Sequence, residues 1–159
     1  MKSDVAARPN PTDRVISILN LVLADECLLY TKTRNSHLKA TGPEAGALRD
    51  VFAKQFDDLS EMINEISERV RSLGGYPMGT MSDFLQHARL KENSDAQLPA
   101  LRLVGQLLVD HQVMVRELRG NAEACVQEYD ETAVSEFLTR LIARHESMAE
   151  TLRAQLAQS

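Results

Sequence analysis

Four oxygen-bearing side chains share one face of a single stretch of this chain. Asp57, Glu61, Asn64 and Glu68 follow one another at steps of four, three and four. At about 100° per residue those steps place them on one helical face, beside an apolar stripe. Oxygen donors grouped in this way suit hard cations or iron. The plainer reading is a solvated acidic face with Lys or Arg partners, unless a second chain packs over it. Histidines are the other candidate ligands. A di-iron centre inside one bundle needs a Glu-x-x-His pair on each of two helices. Three residues before His37, His87, His111 and His145 stand Arg34, Phe84, Leu108 and Ile142, so no such pair exists. His111 and His145 fall within apolar stripes, where a core histidine bonded to a polar neighbour such as Asp25 or Glu26 is expected. The nucleotide, nucleophile-elbow and zinc-protease motifs are absent. The glycine-rich Gly74–Thr80 loop follows a helix rather than a strand, which makes it a helix-ending turn and not a phosphate cradle.

These residues need long helices to position them. Gly and Pro total only 12 and cluster at Pro9 and Pro11, Gly42-Pro43, Gly74 to Gly79, and Gly120. Between them the spacing predicts a first helix from Asp13 to Ala40, capped by Thr12 or Asp13, and a second from Pro43 to just before Gly74. The second carries the stripe Phe52, Phe56, Leu59, Ile63, Ile66, Val70 and Leu73. A short helix is expected over Ser82–Arg89. The third long helix is expected from Asp95 to Ala122, with stripe Leu101, Val104, Leu108, Val115 and Leu118. The fourth is expected from Thr132 to the end, with Val134, Leu138, Leu141, Met148, Leu152 and Leu156. Each long helix would span roughly 40 Å. Four such amphipathic helices predict an all-α four-helix bundle, with the short extra helix in the long connection between helices two and three. A flexible arm over 1–12 would precede a bundle domain over 13–159.

Composition agrees. At 159 residues, 43% hydrophobic and 26% charged, the chain reads as one globular domain. No apolar run approaches a membrane span. The first residues lack an apolar leader segment, so a cytoplasmic location is expected. Cys27 and Cys125 are far apart and form no CxxC, which argues for reduced structural thiols. The formal net charge of −5 argues against a basic nucleic-acid face.

Several motifs then occur in order. They are LADECLLYTKTRNSHLKATGPEAGALRDVF, NEISERVRSLGGYPMGT, LLVDHQVMVRELR and TAVSEFLTRLIARHESMAETLRAQL. From Asp13 to Leu156 the chain resembles the Dps family, the mini-ferritins also called DNA-binding proteins from starved cells. The resemblance implies a ferritin-like bundle and a hollow shell of twelve identical subunits. It implies that ferrous iron is oxidised, preferably by hydrogen peroxide, and stored as a ferric mineral. In the family the ferroxidase centre lies between two subunits, with histidines from one and carboxylates from the other.

Carried over by position, the family's first histidine falls on His37, followed by Leu38 in place of a tryptophan. The second histidine falls on Arg49, the next aspartate on Ala53 and the bridging aspartate on Asn64. The glutamate is retained as Glu68, and a family tryptophan falls on Glu150. Two of five ligand positions thus keep a good iron ligand, and Arg49 adds a fixed cation that opposes Fe(II) binding. The expectation is a weakened or lost centre, with Arg49 and Glu68 pairing where the metal would sit. Asp57 and Glu61, beside Asn64 and Glu68, form an alternative relocated site with His37 of a neighbour. The acidic Glu123, Glu128, Asp130 and Glu131 match the family's threefold pore region, or simply precede a helix N-terminus that favours negative charge. Lys2, Arg8 and Arg14 are offset by Asp4 and Asp13, so tight DNA binding is not expected. The alternative to an iron-handling shell is a non-catalytic shell, or one subunit of a mixed shell with a sister Dps chain. A DNA-compacting protein is the reading that the charge disfavours.

Overall fold

The computed structural model describes residues 10–93 and 97–158. Among them are five helices: α1 (Pro11–Lys39), α2 (Ala45–Ser72), α3 (Met81–His87), α4 (Ala100–Gln127) and α5 (Thr132–Ala157). This is the expected all-α four-helix bundle with a short helix in the crossover. The boundaries differ where local chemistry decides them. Asn10, not Thr12 or Asp13, caps α1; its side chain accepts from the Asp13 N–H at 2.8 Å, and Pro11 takes the first helical position. Residues 11 and 12 therefore belong to the helix, and the rest of the expected arm, 1–9, lies outside the described residues.

Further along, α2 starts at Ala45 because Gly42, with φ of +96°, and Pro43 form the turn before it. The start of α4 is Ala100 rather than Asp95, which lies outside the described residues. Leu98 precedes a proline, and that disfavours helix at its position. The end of α4 passes through Gly120 to Gln127, since Ala122 and Cys125 continue its buried side. That side is also rotated from the expected stripe. Leu103, Leu107 and Met114 are buried, whereas Leu101 and Leu108 are only half-buried.

The chain direction follows from the ends. α1 packs chiefly on α2, and α4 on α5. Thr41 accepts from the Ala100 N–H at 2.9 Å and donates to the Leu98 carbonyl at 3.2 Å. The end of α1 thus meets the start of α4. The crossover from Leu73 must therefore travel back along the whole bundle, and α2 and α4 run in the same direction. Asp25 pins it midway: the carboxylate accepts from the Arg89 N–H at 2.6 Å, Arg89 Nε at 2.7 Å and the Leu90 N–H at 3.0 Å. The core between the helices is one cluster rich in Leu, Val and Phe, including Leu19, Phe52, Leu59, Leu118 and Leu138. Each fully buried side chain of this size contributes about 1.5–3 kcal/mol.

Candidate metal centre

His37 stands in the last turn of α1, half-buried. Its ring rests edge-on against Phe56, 5.5 Å between centroids. Nδ1 lies 2.9 Å from the carbonyl oxygen of Arg49. A carbonyl only accepts, so Nδ1 carries the proton and Nε2 keeps its lone pair. A carbonyl accepting from one ring nitrogen in this way fixes a histidine in its metal-binding tautomer.

The same corner holds a permanent cation. Arg49 sits in the first part of α2, exposed, and its guanidinium donates to the Ala40 carbonyl at 3.2 Å. That bond satisfies a carbonyl at the end of α1, where a positive charge is favourable. Ala53, one turn on, is half-buried and offers no ligand atom.

The acidic face is present, and part of it is engaged. Asp57, Glu61, Asn64 and Glu68 are all exposed on α2. Arg144 of α5 reaches across to Glu61 at 3.3 Å and Glu65 at 3.1 Å, and to the Asp58 carbonyl at 3.4 Å. Glu68 pairs with Arg71 at 3.3 Å on its own helix. Beside Glu68 and Asn64, a cleft between α2 and α5 holds Arg69 and Arg140 over the Phe137 ring, at 4.8 and 5.9 Å. Sequence reading missed Arg144, because its partners lie about 80 positions away and no local pattern signals them.

Arg49 and Glu68 are nineteen positions apart on one helix, or about 28 Å at 1.5 Å per residue. They cannot meet within one chain, and neither can His37 and Glu68. Among the described residues, no three His, Cys, Asp or Glu side chains are arranged to hold a metal ion. Any centre built from these residues needs two chains.

Glu128, Asp130 and Glu131 fall in the α4–α5 connection, whereas Glu123 lies within α4, which runs on to Gln127. Asp130 is forced to a φ of +55°, and the Glu131 N–H donates to the Cys125 carbonyl at 2.7 Å. Glu131 occupies the N-cap of α5 without a side-chain capping bond. Cys125 is buried beneath this turn, and burial, with the charge of Glu131, pushes its thiol up to about 11. It remains a thiol, as does Cys27.

A family model described as the ferritin-like domain matches residues 16–159. The DNA protection during starvation protein 2 of Bacillus anthracis is 31% identical over 91% of this chain and 98% of its own length. This chain belongs to the Dps family of ferritin-like proteins. A low temperature-induced protein of Nostoc sp. is 39% identical over 88% of this chain and 78% of that protein. Among solved structures, a Dps protein from Bacillus brevis superposes with a TM-score of 0.87. It is 28% identical and covers 94% of this chain and 99% of that one. As a Dps-family chain, this one keeps the fold along nearly its whole length. Among the described residues, no helix is long and apolar enough to cross a membrane.

Proposed function

We propose that this chain assembles with copies of itself into a twelve-subunit cytoplasmic cage. The cage takes up ferrous iron and stores it, guarding the cell against peroxide, with an oxidation centre weaker than the family pattern. Iron is the substrate and cargo here. Two Fe(II) ions each give one electron to hydrogen peroxide; its O–O bond breaks, and two protons complete two waters. The observation that carries this reading is the α1–α2 corner. His37 is held with Nε2 available, while Arg49, whose backbone carbonyl holds the His37 ring, brings a guanidinium bonded to the Ala40 carbonyl at the same corner. Across a subunit boundary, Glu68 and Asn64 of a second copy would supply the oxygen side, with Asp57 and Glu61 as its extension. The carboxylates Glu123, Glu128, Asp130 and Glu131 would draw cations toward an entry pore, as rings of acidic side chains do.

The test compares anaerobic Fe(II) oxidation by added peroxide in the wild type, in the triple variant Arg49→His, Ala53→Asp, Asn64→Asp, and without protein. Each unit charge about 4 Å from the ion is worth about 1 kcal/mol even in water. The restored variant is expected to oxidise fastest, with the wild type between it and the control. A triple variant no faster than the control overturns the assignment of these positions. The second reading, a non-catalytic shell or one partnered by a sister Dps subunit, is favoured by the grip of Arg144 on Glu61. A wild-type rate equal to the control, with a fast triple variant, decides for it.

A further inference from the structure

Three side chains with no solvent exposure form a hydrogen-bonded chain across the middle of the bundle. Glu26 of α1, His145 of α5 and His111 of α4 are each 0% exposed. Nε2 of His145 lies 2.5 Å from Oε1 of Glu26, and its Nδ1 lies 2.9 Å from Nδ1 of His111. The two rings are tilted by 50°, with centroids 5.1 Å apart. Oε2 of Glu26 and Nε2 of His111 are buried without hydrogen-bond partners.

An Nδ1–Nδ1 bond holds one proton. Either a neutral His111 donates to a neutral His145, or a His145 imidazolium donates to a neutral His111. In both arrangements the His145 Nε2–H donates to Glu26. Only when both rings are protonated do two N–H groups point at each other, and the bond then becomes a repulsion between two buried cations. The surrounding elements offer no relief. The buried residues of α2 are uncharged, and α3 buries only Phe84. On α1, Asp25 is committed to Arg89, and burial, aided by Glu26, pushes the Cys27 thiol up to about 12. On α4, Asp110 is paired with Lys32 at 2.6 Å. The remaining buried residues of α5 are apolar.

We propose that Glu26, His145 and His111 form a one-proton latch. The bundle is closed while a single proton bridges the imidazoles, and the second proton supplied by mild acid parts α4 and α5 from α1. Burial, followed by the neighbouring His145, holds His111 well below the usual imidazole range. The unfolded chain takes up this proton near the ordinary value of about 6.5, while the folded chain refuses it. Stability from this group is therefore complete above that pH and falls below it, by up to about tenfold in the folding constant per pH unit. Asp110 acts in the opposite sense. Burial raises its carboxyl, so acid favours the folded chain through that group and does not imitate the latch.

The test is urea unfolding of the wild type and His111→Asn between pH 7.5 and pH 5 (~half-unit steps). The Asn amide still donates to Nδ1 of His145 but does not titrate. The wild type is expected to lose up to about tenfold per pH unit below about 6.5, and the variant to lose about one proton's worth less. Equal slopes overturn the latch. Ring NMR of 15N-histidine wild type gives an independent reading should the variant fail to fold. His111 is expected to stay neutral until the fold is lost. Two imidazolium rings in the folded chain overturn the proposal.

Discussion

Asp25 and Glu26 are adjacent buried carboxylates with separate tasks. Asp25 is 1% exposed and closes three hydrogen bonds on the end of the crossover. Glu26 faces the other way, into the core, toward His145. Two neighbours on a helix are separated by about 100°, so one pair of residues serves two sides of α1. Replacing Asp25 with Ala strands the Arg89 and Leu90 N–H groups and the Arg89 guanidinium. The guanidinium keeps Glu117 at 2.9 Å and is partly exposed, which limits the loss. The expected cost is about 2–4 kcal/mol, read as a lower urea midpoint with an unchanged slope. The sequence offered Asp25 or Glu26 as the partner of a core histidine, and the apolar stripes announced that His111 and His145 are core. The choice of Glu26 rather than Asp25 as the histidine's partner needed the rotation of α1 against α5. At the corner of the candidate centre, the presence of a cation at Arg49 was legible from the sequence alone. Its engagement of the Ala40 carbonyl was not, because backbone acceptors carry no sequence signature.

The end of α2 shows how an element positions its neighbours. Gly74 takes a φ of +84°, and its N–H donates to the Arg71 carbonyl at 2.9 Å. The Gly75 N–H donates to the Val70 carbonyl at 3.0 Å. This pair of bonds stops the helix and satisfies carbonyls that would otherwise be orphaned. Gly75 is needed for a different reason: a Cβ there would lie 2.8 Å from Cγ2 and 2.9 Å from Cδ1 of Ile16 on α1. Ile16 is β-branched and stiff, so it yields poorly. Gly75→Ala is expected to cost about 1–3 kcal/mol through overpacking, measured as a fall in thermal midpoint with helicity retained below it. The Gly-Gly pair in the sequence marked a helix end. That the second glycine serves a contact with α1 was decided by the direction in which the crossover leaves.

At the scale of the molecule, the single chain leaves apolar surface around α3. Tyr76 is 91% exposed, Met81 74% and Leu85 54%. Of the residues of this helix, Phe84 alone is buried in the bundle. In the assembly proposed here the remaining residues are covered by a second copy. The double variant Met81→Asp, Leu85→Asp is expected to lower the mass in light scattering while far-ultraviolet circular dichroism stays helical. A variant of unchanged mass would remove this face from the assembly. Charge gives another whole-molecule expectation. With −5 per chain, an assembly repels duplex DNA, and a gel shift is expected to vanish at moderate salt. A shift surviving that salt would contradict it, whatever the names of the relatives say.

The sequence by itself determined the four long helices, their order and the short helix between them, because period and glycine punctuation are local properties. It also determined which residue types stand along α2, Arg49, Ala53, Asn64 and Glu68 among them, since a residue's chemistry needs no fold to be known. The tertiary structure decided what those residues touch. The link of Arg144 to Glu61 and Glu65, and the separation of His37 from Glu68, depend on how helices distant in sequence are brought side by side. So does the Glu26–His145–His111 chain, which joins three helices at one level. Periodicity defines the face of a helix, and only packing chooses the residue opposite it.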